Sequence, residues 1–213
     1  MKLYIIRHGE TQWNKLGLLQ GQTDISLNEN GKKLAVETGG SLREVPFSGV
    51  ISSPLGRALE TARLVTGDRN ISIVTDERIQ EISFGSLEGR PVKNSGDPET
   101  TRKMQQFFLH PEQYEAPEGG ESIEQLLERT GDFLTWLTGN PDYHAEDTLL
   151  ISTHGAASRA LLANIQKKTS ISDFWGSKVP GNCSVSIAEL KSDEWEILEM
   201  DKIYYKEKTG KET

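Results

Sequence analysis

Short runs rich in β-branched residues alternate along the chain with longer stretches whose apolar residues recur at helical spacing. That alternation predicts an α/β fold, a mostly parallel central sheet with helices on both faces. Strands are predicted at Lys2–Arg7, Gly49–Ser52, 71–75, Thr148–Thr153, 184–190 and 195–201. The last two are joined by the polar Lys191-Ser192-Asp193-Glu194. A linker this short cannot make the crossover that parallel neighbours require, so this pair should end the sheet as an antiparallel hairpin. Ser53 before Pro54 reads as an N-cap and first helical position, predicting a helix over 54–66 with Leu55, Leu59 and Ala62 on one face. Ser122 and Gln125 form a capping box, after which Leu126, Leu127, Phe133, Leu134 and Leu137 recur at helical spacing.

A polar stretch from about 90 to 120 carries Pro91, Pro98, Pro111 and Pro117 around the amphipathic Met104–Leu109 segment. It reads as a partly helical insertion in one domain spanning 1–203. Residues 204–213 lack apolar periodicity and are rich in Lys and Glu, which predicts a frayed tail. A length of 213 residues with 35% hydrophobic content suits one sizeable core.

A net charge of −8 argues against general binding to nucleic acid or anionic membranes, both of which need broad basic surfaces. Any anion must be captured locally. No apolar run approaches the roughly 20 residues that span a bilayer. The amino terminus lacks a secretory pattern and enters a strand directly, and a cytoplasmic protein is expected. The single Cys183 cannot form an intramolecular disulfide. It heads a strand without an adjacent glycine-rich turn, a poor setting for a nucleophile. Nothing in the sequence sets the oligomeric state.

The chemistry concentrates at two strand ends, Arg7-His8-Gly9-Glu10-Thr11 and Thr153-His154-Gly155. In open α/β sheets ligands bind at the carboxyl edge, and a following glycine allows close backbone approach. A strand-end histidine can be a simple surface or capping residue, but two in matching contexts favour a site. The remaining histidines, His110 and His144, have no ligand spacing, and an arginine beside a ligand would repel a cation, so no metal or other cofactor is expected. The residue types instead suit phosphoryl transfer. Arg7, Arg57 and His154 offer directed donors to a tetrahedral dianion, and Arg57 falls in the first turn of a helix, whose amino end favours anions. Either His8 or His154 could attack phosphorus if its other ring nitrogen were held by an acceptor such as a backbone carbonyl.

Five ordered blocks carry a family resemblance. They are Ile6-Arg7-His8-Gly9-Glu10-Thr11 with Trp13-Asn14 and Gln20-Gly21; Ser52-Ser53-Pro54-Leu55-Gly56-Arg57-Ala58; Glu81 to Gly85 with Glu88-Gly89; Gly119-Gly120-Glu121-Ser122; and Ser152-Thr153-His154-Gly155. In these the chain resembles the histidine phosphatase superfamily, in the branch of the cofactor-dependent phosphoglycerate mutases and broad-specificity small-molecule phosphatases. The resemblance implies that His8 is the nucleophile and that a protonated His154 donates to the phosphoryl group. It makes Arg7, Asn14, Gln20, Gly21 and Arg57 pocket residues and Glu81 the acid that protonates the leaving alkoxide. An ordinary glutamate is ionised at neutral pH, so that role requires burial or the phosphate's own charge to keep its proton on. Glu88 reads as a loop stabiliser and Glu10 as a helix-start carboxylate. The expected partner is a small phosphorylated metabolite. Mutases of the superfamily add a tyrosine near the glutamate and paired basic residues in the insertion. Here Phe84 lacks the hydroxyl and Arg102-Lys103 reads as a solvated helix face, so hydrolysis is expected over mutase transfer, and also over a non-catalytic phosphate-binding module, which would need neither nucleophile nor acid.

Overall fold

The computed structural model describes residues 1–93, 96–168, 170–176 and 178–205. Among them six strands form one sheet in the order β3, β2, β4, β1, β5, β6. β1 (Lys2–Arg7) pairs in parallel with β4 (Thr148–Thr153), Lys2 opposite Thr148 through Arg7 opposite Thr153. β2 (Gly49–Ser52) lies parallel on the far edge of β4, and β3 (Ile73–Thr75) lies outside it. On the other side of β1 the sheet turns antiparallel, with β5 (Val185–Lys191) and then β6 (Glu194–Lys202). The hairpin between them turns at Ser192 and Asp193, both left-handed at φ 49° and 64°. Two such residues match the right-handed twist of the flanking strands.

Period-two alternation sorts the strands' apolar residues to two faces. Leu3, Ile5, Ile51, Leu149 and Ile151 pack under α5 (Ile123–Gly139) and α6 (Gly155–Ile165), against Phe133, Leu137, Leu161 and Leu162. Ile6, Val50, Leu150 and Val185 pack on the opposite face, against Ala35 of α2 (Glu29–Ser41) and Ala62 and Val65 of α3 (Gly56–Thr66). A short α1 (Gln12–Leu16) follows β1. The insertion holds α4 (Pro98–Leu109), capped by Asp97, and packs in a third cluster with Phe84, Phe107, Tyr114 and Trp175.

Four expectations change in detail. α3 starts at Gly56 rather than 54, because the Gly56 amide is capped from a distance by Asp24 at 2.8 Å while the Ser53 hydroxyl turns to His154. β3 starts at Ile73 because β2 offers partners only from Val50 to Ser52. Lys103 is buried, with its ammonium on the Glu115 carbonyl at 3.1 Å, so Arg102-Lys103 is not a solvated pair. Tyr204 and Tyr205 are docked rather than frayed. Their hydroxyls donate to Glu199 at 2.8 Å and to the Asn182 carbonyl at 3.1 Å, and the rest of the predicted tail lies outside the described residues.

Candidate active site

Because β1 and β4 run parallel and in register, the residues after them, His8 and His154, emerge side by side. Their rings lie 5.1 Å apart, and the His8 amide donates to the Thr153 carbonyl at 2.9 Å. Gly9 lets the chain turn under α2: a Cβ there would lie 2.6 Å from the Gly31 carbonyl oxygen. That turn brings the Gly9 carbonyl 2.7 Å from His8 Nδ1. A carbonyl only accepts, so Nδ1 carries the proton and Nε2 keeps its lone pair. Burial first, then the charges of Arg57 and Arg7, hold the His8 pKa well below the ordinary histidine value. His8 is therefore a neutral imidazole with its nucleophilic nitrogen available.

Burial first, then the charges of Arg57 and His8, push the His154 pKa well below the ordinary histidine value. Its Nε2 lies 2.8 Å from Ser53 Oγ, itself an acceptor for the Leu55 amide. The Ser53 proton can go to Nε2, leaving Nδ1–H as a donor, and Nδ1 is buried without a protein partner. A donor role is therefore open to the neutral ring.

The two arginines are pinned at their tips. Arg57 donates to the Thr23 carbonyl at 2.9 Å and to the Gly21 carbonyl, and Arg7 donates to the Pro180 carbonyl. In both, buried Nε is left without a partner. Burial lowers the pKa of Arg7 and brings that of Arg57 down to about 10, so both remain charged at neutral pH. Glu81 completes the group. Its carboxylate accepts from the amides of Ile82 at 3.0 Å and of Ala156 and Ala157 at 3.1 Å, fixing it on the amino end of α6.

Asn14 caps the Thr11 amide at 3.1 Å and donates to Gln20 Oε1 at 3.2 Å, which orients Gln20 with Nε2 buried and unpartnered. Gly21 stands behind the site, serving through its carbonyl on Arg57. Glu88 ties the 22–23 amides at 2.9 and 2.7 Å and thereby steadies the loop that grips Arg57. Glu10 departs from expectation. α1 is capped by Thr11, and the Glu10 carboxylate instead accepts from Asn28, the N-cap of α2, at 2.7 Å.

Beside these groups opens a cavity of about 260 Å³. Arg7, Asn14, Gln20, Glu81 and Asn182 form its polar side, and Phe84, Phe107, Phe108 and Trp175 its apolar side. His8, Arg57 and His154 are buried and are not among its lining residues. Among the described residues no group of three or more His, Cys, Asp or Glu side chains is arranged to hold a metal ion. The Cys183 thiol is buried and pushed up to about 12, which keeps it unreactive.

The sequence profile described as the histidine phosphatase superfamily (branch 1) matches residues 3–202. The chain belongs to this superfamily. A curated relative named probable phosphoglycerate mutase GpmB, from Erwinia tasmaniensis, is 30% identical over 92% of this chain and 87% of its own length. Among solved structures, Bacillus stearothermophilus YhfR is 32% identical at a TM-score of 0.85, covering 94% of this chain and 96% of that one. A mutant of Entamoeba histolytica phosphoserine phosphatase, solved in complex with phosphoserine, is 28% identical at a TM-score of 0.77, covering 93% and 95%. The α/β fold and the enzyme class follow from these likenesses.

Two features of this histidine phosphatase escaped sequence reasoning. Asn182 donates to the His8 carbonyl at 3.1 Å and to Asn14 at 3.2 Å. The rule that sites form at carboxyl ends of strands does not find it, because antiparallel β5 delivers its amino-terminal head to the same edge. Arg129, on α5, grips Glu121 at 2.6 and 2.8 Å and donates to the carbonyls of Arg78, Gln80 and Glu81 at 2.7, 2.9 and 3.1 Å. It holds the backbone that carries Glu81, a role with no local sequence signal.

Proposed function

We propose that the enzyme hydrolyses small phosphate monoesters through a phosphohistidine on His8. The observation that carries this reading is the pairing of His8 Nδ1 with the Gly9 carbonyl, which leaves Nε2 free beside the buried, unpartnered donors of Arg7, Arg57, Gln20 and His154. Nε2 attacks phosphorus, the ester P–O bond breaks, and Glu81 gives the departing oxygen its proton. Water then attacks the phosphohistidine, Glu81 takes back a proton, and the P–N bond breaks to release inorganic phosphate. The guanidinium, amide and imidazole donors hold the three non-bridging oxygens throughout. No helix among the described residues is long and apolar enough to cross a membrane. We place the reaction in the cytoplasm, acting on phosphorylated metabolites.

Incubation with an ester and an acid-free quench should label His8, and His8→Ala should abolish the label. Label on a serine, aspartate or cysteine would overturn the mechanism. Replacing His154 or Arg57 by alanine should slow the chemical step by roughly 10²-fold, the scale for losing one preorganised donor.

The curated relatives named as mutases raise return transfer as a second reading. Against it, Phe84 is buried edge-on to Phe107 at 4.9 Å, and two of the insertion's basic groups are engaged. Arg90 pairs with Asp97 at 2.8 Å and Thr100 at 3.1 Å, and Lys103 holds the Glu115 carbonyl. With 3-phosphoglycerate and catalytic 2,3-bisphosphoglycerate, phosphate release should outpace 2-phosphoglycerate formation. The reverse would make the enzyme a mutase.

A further inference from the structure

We infer that Asn182 is a specificity-determining residue, whose side-chain oxygen accepts a hydrogen bond from a second hydroxyl on the substrate's alcohol, one or two carbons from the ester. This rests on the phosphohistidine reading above. Asn182 stands in the tight turn that leads into β5, closed by the Ser184 amide on the Gly181 carbonyl at 3.1 Å, with Cys183 left-handed at φ 54°. The turn is fastened on both sides of the Asn182 side chain. The Cys183 amide donates to the Arg7 carbonyl at 3.0 Å, and the Asn182 carbonyl accepts from the Tyr205 hydroxyl at 3.1 Å. The backbone thereby holds Asn182 at the carboxyl end of β1, on the wall of the cavity that Arg7 and Glu81 also line.

The Asn182 amide fits only one way round. Its nitrogen faces two acceptors, the His8 carbonyl at 3.1 Å and Asn14 Oδ1 at 3.2 Å. Asn14 Oδ1 is fixed as an oxygen in turn, because it accepts from the Thr11 amide at 3.1 Å. Both N–H groups of Asn182 are spent, and exchanging its nitrogen and oxygen would set oxygen against oxygen. Oδ1 is left without a protein donor among the described residues and is not sealed from solvent. The other polar groups of the cavity have tasks already. Arg7 Nε and Gln20 Nε2 are donors for the phosphate, Asn14 is satisfied by Thr11, Asn182 and Gln20, and the Glu81 carboxylate serves the departing oxygen. Asn182 Oδ1 remains as a fixed acceptor, joined to the phosphate seat through Asn14 and Gln20. A substrate hydroxyl that reaches it makes a hydrogen bond, whereas a methyl group in the same place displaces water and leaves the oxygen unpaired.

Two isosteric pairs test this, 2-hydroxyethyl against propyl phosphate and 3-hydroxypropyl against butyl phosphate. In the unaltered enzyme kcat/KM should favour the hydroxyl ester in at least one pair by roughly three- to tenfold, the range of one net hydrogen bond. Asn182→Ala also removes the brace on His8, so both members of a pair should slow, and the hydroxyl preference should fall by that same factor. Leaving-group differences within a pair cancel when the two enzymes are compared. Should the variant fail to fold, the pairs in the unaltered enzyme decide. A preference of one or less in both pairs, or one that Asn182→Ala leaves intact, would overturn the inference while His8 labelling stood. Failure of every ester to label His8 would instead overturn the underlying reading.

Discussion

Glu81 is held by three backbone amides, so its carboxyl cannot swing, and its effect on catalysis should reflect proton transfer more than mobility. Glu81→Gln should lower kcat/KM for ethyl phosphate by about 10²- to 10⁴-fold. With p-nitrophenyl phosphate, whose leaving group needs no proton, the loss should stay below roughly tenfold. Equal losses would move the acid elsewhere. The two buried histidines make a second prediction, on stability. Both have folded pKa values pushed well below the ordinary one, so below about pH 6.5 the unfolded chain binds protons that the folded protein refuses. Stability is therefore fully present above that pH and falls as pH drops, each histidine contributing up to about 1.4 kcal/mol per pH unit until its folded pKa is reached. Urea unfolding from pH 7.5 to 5 should show this slope, and the double variant His8→Asn, His154→Asn should flatten it. An unchanged slope would mean that the rings are protonated in the folded state.

Element positions translate into site geometry through backbone contact. α2 crosses the loop after β1 at Gly31, where a Cβ would lie 2.1 Å from the Glu10 carbonyl oxygen. Gly31→Ala must push α2 off the Gly9-Glu10 backbone and with it disturb the carbonyl that orients His8. Gly40, exposed on the same helix, has nothing within 4 Å of an added Cβ. Gly40→Ala should raise stability by roughly 0.5–1 kcal/mol through helix propensity. Gly31→Ala should lower both stability and kcat, so chemical denaturation and kinetics on the pair separate close approach from propensity. A stabilising Gly31→Ala would refute the contact. The capping box at Ser122 was legible because both partners lie within one turn, with Gln125 returning to the Ser122 amide at 2.9 Å. The start of α3 was not, because its capping carboxylate, Asp24, comes from another loop.

Across the whole molecule, the far edge of the sheet is tied to the site by a buried ion pair. Arg159 of α6 pairs with Asp201 of β6 and also donates to the Lys178 carbonyl at 2.6 Å, two residues before the Pro180 carbonyl that seats Arg7. Asp201 has φ 52°, a conformation asparagine tolerates equally, so Asp201→Asn removes charge without adding backbone strain. It should cost about 3–5 kcal/mol in urea unfolding by leaving Arg159 buried and unpaired. It should also weaken inhibition by inorganic phosphate as the 178–182 loop loosens on Arg7. Unchanged stability would show that the pair is not structurally important. Periodicity, turn residues and local caps by themselves determined the α/β class, the six strands, the closing hairpin and the strand-end histidines, because each signal lies within a few consecutive residues. Matching motif blocks added Arg57 and Glu81 by resemblance. Only the tertiary structure decided that burial holds both imidazole pKa values down, that Asn182 and Arg129 brace the site, that Lys103 is buried, and that an apolar wall adjoins the phosphate donors. Burial, long-range hydrogen bonds and electrostatic coupling depend on which distant segments meet, and no local pattern encodes those distances.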